Sequence, residues 1–145
     1  MPKSIGPSMA REIFVDTSGF YALLAQRDPK HEAASRILRK AKSEQRRLVT
    51  TDYVMNETAT LLKARGEGRL AGPLFERVFQ SSACQLQWTD AERFDAVRAF
   101  FLKHSDQNWS FTDCVSFCIM KELRLVEALT TDSHFGQAGF VPLLK

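Results

Sequence analysis

The chain has 145 residues, 44% of them hydrophobic and 26% charged, with a formal net charge of +3. This length suits one domain with its own core, and the composition excludes an intrinsically disordered chain. No apolar run approaches the roughly 20 residues that a membrane-spanning helix needs, so we expect no membrane association. Residues 1–10 lack the apolar segment of a secretory signal and are predicted to be a flexible tail, which leaves residues 11–145 as the folded domain.

The predicted elements alternate between short β-prone runs and amphipathic helices. In chain order they are a strand at 12–15, a helix at 20–24, a helix from 28, a strand at 48–50, a helix from 51 or 52 to about 65, a helix at 70–79, a strand at 84–88, a helix from 89, a helix at 110–124, and strands at 125–129 and 140–143. Asp28-Pro29 is a favourable helix start, and Thr89 with Glu92 has capping-box spacing. This alternation predicts a single α/β domain with a central, mainly parallel sheet and helices on both faces.

Three cysteines are present: Cys84, Cys114 and Cys118. An odd number of cysteines without a secretory signal indicates reduced thiols, so we expect a cytoplasmic protein. Cys114 and Cys118 are four residues apart and would share a helix face. A zinc site needs two further ligands, however, and no cysteine or histidine pair has the spacing to supply them. Ordinary buried thiols are therefore the favoured interpretation.

Four acids occupy unusual places in this pattern. Asp16 follows the first predicted strand, and Asp132 follows the fourth across Thr130-Thr131. In open parallel sheets, ligands bind outside the carboxyl ends of the strands. Glu57 and Asp113 lie inside otherwise apolar helical segments, where an unpaired carboxylate is costly unless it finds a partner.

Such a set of acids is suited to binding a divalent cation. Oxygen ligands without nearby histidine ligands favour magnesium, manganese or calcium over zinc. Acids around one or two magnesium ions are an arrangement for hydrolysing phosphodiesters. The chain has no nucleophile elbow, Walker loop or dinucleotide-binding glycine pattern. Each acid also has a structural explanation as a cap, a first-turn helix acid or a solvent-facing side chain, and spacing alone leaves both interpretations open.

The residues around these acids resemble, in order and approximate spacing, the motifs of PIN-domain ribonucleases. The segments are Val15-Asp16-Thr17-Ser18, Asn56-Glu57-Thr58-Ala59, Phe111-Thr112-Asp113-Cys114 and Leu129-Thr130-Thr131-Asp132-Ser133-His134-Phe135. The likeness extends from about Arg11 to Leu144. The chain length and the minimal insertions are most similar to the VapC-type toxins of bacterial toxin–antitoxin pairs.

The resemblance implies a function and a set of site residues. By it, the catalytic, metal-binding acids are Asp16, Glu57, Asp113 and Asp132, and the accompanying hydroxyls are those of Thr17, Ser18 and Thr112. It further implies an endoribonuclease that uses Mg²⁺ or Mn²⁺ and cleaves single-stranded or structured RNA. It also implies a homodimer and a cognate antitoxin protein as partner.

Two residues near the acids have open roles. His134 is interpreted as structural rather than as a general base, because a metal-activated water makes a separate base unnecessary. Trp109 could stack on an RNA base or pack in the fold, whereas packing is the favoured use of Phe111.

Two basic clusters, within residues 36–47 and 63–69, could bind a polyanion or form solvated helix faces. An RNA-processing nuclease without an antitoxin, a non-catalytic binding module and a receiver-like signalling domain are the alternatives. A receiver would need a phosphoacceptor after the third strand, where Asp90 belongs instead to a helix cap.

Overall fold

The centre of the structure is a five-stranded sheet in which every neighbouring pair of strands is parallel. The computed structural model describes residues 11–144, so the predicted tail at residues 1–10 lies outside the described residues. The strands are β1 (Ile13–Val15), β2 (Leu48–Thr51), β3 (Cys84–Gln87), β4 (Glu127–Leu129) and β5 (Val141–Pro142). Their order across the sheet is β3-β2-β1-β4-β5.

Helices connect the strands over both faces of this sheet. Within residues 11–144 they are α1 (Thr17–Leu24), α2 (His31–Ser43), α3 (Asp52–Ala64), a 3-10 turn (Gly68–Leu70), α4 (Ala71–Gln80), α5 (Ala91–Lys103), α6 (Phe111–Glu122) and α7 (Ser133–Gln137). The chain steps outward from β1 to β3 and then returns past β1 to β4. Because parallel crossovers are right-handed, this reversal puts helices on both faces. The predicted α/β architecture is confirmed.

Strand β1 lies between β2 and β4, and the order in which the chain adds strands to the sheet reverses at β1. Such a switch point opens a crevice at the carboxyl ends of the two strands concerned. The register pairs Val15 with Leu129, so the chain leaves β1 at Asp16 beside the point where it leaves β4. All three residues of β1 are buried, as expected of a central strand covered on both faces. The topology thus brings two distant chain segments to one edge.

Most predicted boundaries agree with the structure to within a few residues, but two helix starts were predicted wrongly. Helix α2 begins at His31 rather than at Asp28-Pro29, and Asp28 accepts a hydrogen bond from the backbone N–H of Lys30 at 2.8 Å within the preceding turn. Helix α5 is capped by Asp90, whose carboxylate accepts from the backbone N–H of Arg93 at 2.9 Å. The short helix α7 was not predicted.

The three cysteines are free thiols. Burial raises the pKa of Cys84 and of Cys114 to about 11, and it also raises the pKa of Cys118. Among residues 11–144, no cysteine takes part in a cluster of metal-ligating side chains. Within the same part of the chain, no helix combines the length and the apolar character needed to cross a membrane.

Candidate active site

A cleft of about 620 Å³ opens at the carboxyl ends of β1 and β4. All four predicted acids line it, namely Asp16, Glu57, Asp113 and Asp132. Asp16 and Asp132 precede α1 and α7 as N-cap residues, Asp113 lies in the first turn of α6, and Glu57 comes from α3. Four carboxylates that are up to 116 positions apart in the sequence therefore line one cleft, and ligand atoms of two of them, Asp113 and Asp132, lie within 4.8 Å of each other.

Asp16 is the most deeply buried of the four acids, with 4% of its surface exposed. Burial is the main reason that the pKa of Asp16 is raised from 3.8 to about 6, and the nearby carboxylates of Asp113 and Asp132 raise it further. The backbone N–H of Thr17 and the hydroxyl of Thr130 act in the opposite direction. In the absence of a cation, the ionised form of Asp16 is therefore disfavoured.

The buried hydroxyl of Thr130 links the end of β1 to the end of β4. It donates to Asp16 Oδ2 at 2.9 Å and accepts from the backbone N–H of Asp132 at 3.0 Å. Ser18 Oγ lies 3.1 Å from the same hydroxyl and accepts from the backbone N–H of Thr131 at 2.9 Å. This network fixes Asp16 relative to Asp132. Sequence analysis did not single out Thr130, because its partner Asp16 is brought beside it only by the strand pairing.

We predict that Thr130→Val destabilises the fold by about 1–3 kcal/mol, because the Asp132 N–H and the Asp16 carboxylate lose a buried partner. The substitution should also raise the pKa of Asp16 above its wild-type value, since a hydrogen bond to the ionised form is removed. Urea unfolding and an NMR titration of the Asp16 carboxyl group measure the two effects in metal-free protein. Thr60→Val on the exposed side of α3 is the matched control. Equal stability of the two variants would contradict the prediction.

Asp113 forms the capping box of α6, and its carboxylate also lines the cleft. Its carboxylate Oδ2 accepts from the backbone N–H of Ser110 at 3.1 Å, while Ser110 Oγ accepts from the backbone N–H of Asp113 at 3.0 Å, which is a capping box. The same oxygen lies 3.0 Å from His134 Nδ1. His134 Nδ1 is also 3.4 Å from Asp132 Oδ1. The histidine ring thus joins two of the acids, an arrangement that suits positioning of their carboxylates.

The predicted hydroxyl residues differ in where they lie. Thr17 Oγ1 donates to Glu57 Oε1 at 2.6 Å, and Ser18 Oγ lies 3.4 Å from Asp16 Oδ2. Both residues line the cleft. Thr112 lines a neighbouring groove together with Glu57, rather than the cleft itself. Thr17 and Ser18 are thereby placed to orient acids, and the supporting role of Thr112 stays a prediction.

The two aromatic residues beside α6 pack within the fold. The Trp109 ring is stacked on Phe100 and meets Phe117 edge-on, with its Nε1 donating to Gln137 Oε1 at 3.3 Å. Phe111 contacts the rings of Tyr53, Phe94 and Phe101. Neither residue lines the cleft, so packing accounts for both.

Several further residues of the cleft wall were not predicted. They are Tyr21, Asp28, Leu61, Arg65, Asn108, Ser110 and Thr131. Arg65 belongs to the second basic cluster of the sequence, and its guanidinium lies 4.7 Å from the centre of the Tyr21 ring. The two residues are 44 positions apart, and no local pattern indicates that they meet.

The fold and this cleft define a known class of protein. Residues 13–141 match the PIN domain family, and the chain belongs to that family. It is 30% identical over 129 residues to the 23S rRNA-specific endonuclease VapC20 of Mycobacterium tuberculosis. This match covers 89% of this chain and 95% of that protein. It is 27% identical over 125 residues to a VapC ribonuclease of Archaeoglobus fulgidus, covering 84% of this chain and 78% of that protein.

A solved structure is similar over the same span. The crystal structure of Mycobacterium tuberculosis VapC20, described as a sarcin–ricin loop cleaving toxin, has a TM-score of 0.79 to this chain at 28% identity. The match covers 90% of this chain and 97% of that structure. The predicted likeness to PIN-domain ribonucleases of the VapC type is confirmed, and the receiver-like alternative is wrong.

Proposed function

We propose that this protein is a cytoplasmic, divalent-metal-dependent endoribonuclease and the toxin of a toxin–antitoxin pair. The observation that carries the proposal is the meeting of Asp16, Asp113 and Asp132 in one cleft at the switch point of the sheet. The relatives of this chain that are described as a 23S rRNA-specific endonuclease and a VapC ribonuclease support the reaction class.

The donor set fits a hard divalent cation such as Mg²⁺ or Mn²⁺. The buried carboxylate of Asp16 has its pKa raised by desolvation and by two neighbouring acids, a conflict that a cation would relieve. Ligand atoms of Asp113, Asp132 and His134 lie within 4.8 Å of one another, so the expectation that no histidine lies near the acids was wrong. Carboxylate oxygens are still the majority of the donors in the cleft, and His134 Nδ1 already contacts both Asp113 and Asp132. Asp16, Asp113 and Asp132 would hold the ion, with Glu57 at the exposed margin of the cleft. When bound, such an ion activates the attacking water and offsets the charge that develops at the scissile phosphate.

Neighbouring side chains of the protein hold the carboxylates of the cleft in their orientation. Thr130 and Ser18 hold Asp16, and Thr17 holds Glu57. His134 contacts both Asp113 and Asp132. Because each acid is fixed by a neighbour within the fold, the carboxylates need little rearrangement to receive an ion, which is the preorganisation that electrostatic catalysis requires.

Cleavage of RNA by the purified, partner-free protein tests the proposal. We expect hydrolysis with Mg²⁺ or Mn²⁺, loss of hydrolysis with EDTA, and loss in Asp132→Asn. The substrates should include the sarcin–ricin loop of 23S rRNA, which the VapC20 relative is described as cleaving, and unstructured single-stranded RNA. Cleavage that survives both EDTA and Asp132→Asn would point to a contaminant and would refute the metal mechanism.

The toxin assignment is the finer part of the proposal, and it includes a homodimer and a cognate antitoxin protein. Purification from the native host distinguishes it from an RNA-processing nuclease without an antitoxin. A small protein that co-purifies and blocks cleavage supports a toxin. An active nuclease that brings no inhibitor with it, measured as a monomer by light scattering, would support the processing nuclease. A non-catalytic binding module would bind RNA without cleaving it.

A further inference from the structure

A second groove, of about 630 Å³, lies next to the catalytic cleft. We call it the arginine groove, and define it by Arg27, Arg65 and Arg69 together with Gly66 and Glu67. Arg65 lines both the arginine groove and the catalytic cleft. The two depressions are therefore adjoining, with one guanidinium side chain at their boundary.

The turn after α3, which carries Arg65 and leads to Arg69, is held by backbone hydrogen bonds. Helix α3 ends in a Schellman motif, in which the Glu67 N–H donates to Leu62 O at 2.7 Å and the Gly66 N–H donates to Lys63 O at 3.2 Å. Gly66 has φ +74°, a conformation that favours glycine. Arg65 is held over the ring of Tyr21, whose hydroxyl donates to Glu67 Oε2 at 3.4 Å. Arg65 and Glu67 thereby both contact one tyrosine, Arg65 at its ring and Glu67 at its hydroxyl.

The groove carries an excess of positive charge beside an acidic cleft. Its three arginines face one carboxylate, Glu67, which pairs with Arg69 at 3.0 Å. Among residues 11–144, neither Arg27 nor Arg65 forms an ion pair. A polyanion that enters the catalytic cleft meets several carboxylates there, and the adjoining cationic groove compensates for that repulsion. Guanidinium groups also match the geometry of phosphate oxygens.

We propose that the arginine groove binds the phosphates of the RNA strand next to the scissile bond. This inference rests on the proposed ribonuclease function and adds the path of the substrate. The basic run at residues 36–47 is a poorer candidate. Its Arg46 is paired with Glu127 at 2.6 Å, and Arg46 and Arg47 directly precede β2, at the edge of the sheet opposite to the catalytic cleft.

The test is RNA binding by a double variant, Arg27→Gln with Arg69→Gln, whose two side chains are exposed and lie outside the catalytic cleft. The matched control is Arg36→Gln with Arg39→Gln, two exposed arginines of α2. Fluorescence anisotropy with a labelled single-stranded RNA gives Kd as a function of salt. All proteins carry Asp132→Asn and are kept in EDTA, so that the RNA stays intact.

Each phosphate contact with a single strand contributes about 0.7 to the slope of log K against log salt, so the double variant should lose a slope of about 1.4. With equal affinity at 1 M salt as the reference, this corresponds at 0.1 M salt to a Kd roughly 25-fold higher than that of the parent protein. The control pair should change Kd less than about twofold, because it lies outside the strand's path. Glu67→Gln removes the one acid of the groove and should change Kd in the opposite direction, towards tighter binding.

The possible outcomes separate an RNA site from a groove that does not bind RNA. Equal Kd and slope in the double variant and the control pair would overturn the groove proposal, as would failure of the parent protein to bind RNA. Loss of RNA binding in the double variant, with tighter binding in Glu67→Gln, supports it even if either variant melts slightly lower. If the parent protein binds RNA but the wild-type protein cleaves none, the proposed nuclease function is refuted. The groove proposal is then decided by the Kd of the double variant alone. An unchanged RNA affinity with loss of binding to an acidic protein would make the groove a protein site instead.

Discussion

Replacing Asp16 by asparagine should lower metal-dependent RNA cleavage about a hundredfold or more while making the metal-free protein more stable at neutral pH. Asparagine keeps the shape of the side chain and an oxygen that can accept from Thr130. It removes a charge that burial disfavours, as the pKa of about 6 for Asp16 indicates. One pKa unit corresponds to about 1.4 kcal/mol, so the ionised carboxylate costs the metal-free fold on the order of 3 kcal/mol above pH 6.

The pH dependence of this effect follows from the direction of the shift. Between pH 3.8 and about 6, folded metal-free protein holds a proton on Asp16 that the unfolded chain has lost. The free energy of unfolding therefore rises as the pH falls through this window, and the gain is complete below the unfolded value. The advantage of Asp16→Asn over wild type should be largest above pH 6 and should disappear near pH 4.

Urea unfolding in EDTA at several pH values, repeated with added Mg²⁺, measures both parts of this prediction. Magnesium should stabilise the wild type by RT ln(1 + [L]/Kd) and stabilise Asp16→Asn much less. Asp106→Asn, at an exposed position, is the control and should respond to magnesium like the wild type. An Asp16→Asn protein that unfolds more readily than wild type in EDTA and gains equal stability from magnesium would contradict a cation site at Asp16.

Asp16 tests the site more cleanly than Asp113 does. The Asp113 carboxylate also accepts the Ser110 N–H in the capping box of α6 and contacts His134. Its substitution would combine loss of a cap, which destabilises, with relief of charge repulsion, which stabilises. The capping role that the sequence left open for Asp113 is present, and the same carboxylate lines the cleft. A single stability change at this residue therefore cannot separate loss of the cap from relief of charge repulsion.

Local sequence predicted the elements of the fold and the two acids at strand ends, because apolar runs and the polar residues that end them depend on near neighbours. Strand order depends on which strands pair, and no local pattern encodes that. Thr130 illustrates the difference, since its role follows only from the pairing of β1 with β4. The contact between Arg65 and Tyr21 also joins residues that are distant in the sequence.

Tertiary contacts also explain the helix start predicted wrongly at Thr89. The Asp52 carboxylate accepts from both the backbone N–H and the hydroxyl of Thr89, at 3.0 and 2.7 Å. That interaction joins the end of β2 to the end of β3 and leaves Asp90 to cap α5. The capping-box spacing of Thr89 and Glu92 is a local preference, and a charged acceptor at the start of α3 overrides it.

Gly19→Ala should destabilise the protein by about 3 kcal/mol or more, because the first turn of α1 lies directly against the end of β4. A Cβ atom at Gly19 would stand 2.1 Å from the carbonyl oxygen of Leu129, which is backbone and cannot turn aside as a side chain would. The same carbonyl accepts from the backbone N–H of Asp16 at 3.3 Å. Relief of the clash requires α1 to move away from β4, which also separates Ser18 from the Thr131 N–H that it accepts at 2.9 Å.

The variant should therefore lose stability and active-site geometry together. Urea unfolding gives the stability, and the cleavage rate of the fraction that remains folded gives the effect on the site. Gly68→Ala at the start of the 3-10 turn is the control, since a Cβ there meets only the Cα of Lys63, at an ordinary contact distance of 3.8 Å. Alanine has fewer accessible conformations than glycine in the unfolded chain, so this control should gain about 0.4–1 kcal/mol. The two glycine substitutions thus have opposite expected signs. If Gly19→Ala folds as stably as wild type and cleaves RNA at the wild-type rate, then the close approach of α1 to Leu129 does not hold the Asp16 loop in position, and the hydroxyl network of Thr130 and Ser18 must do so alone.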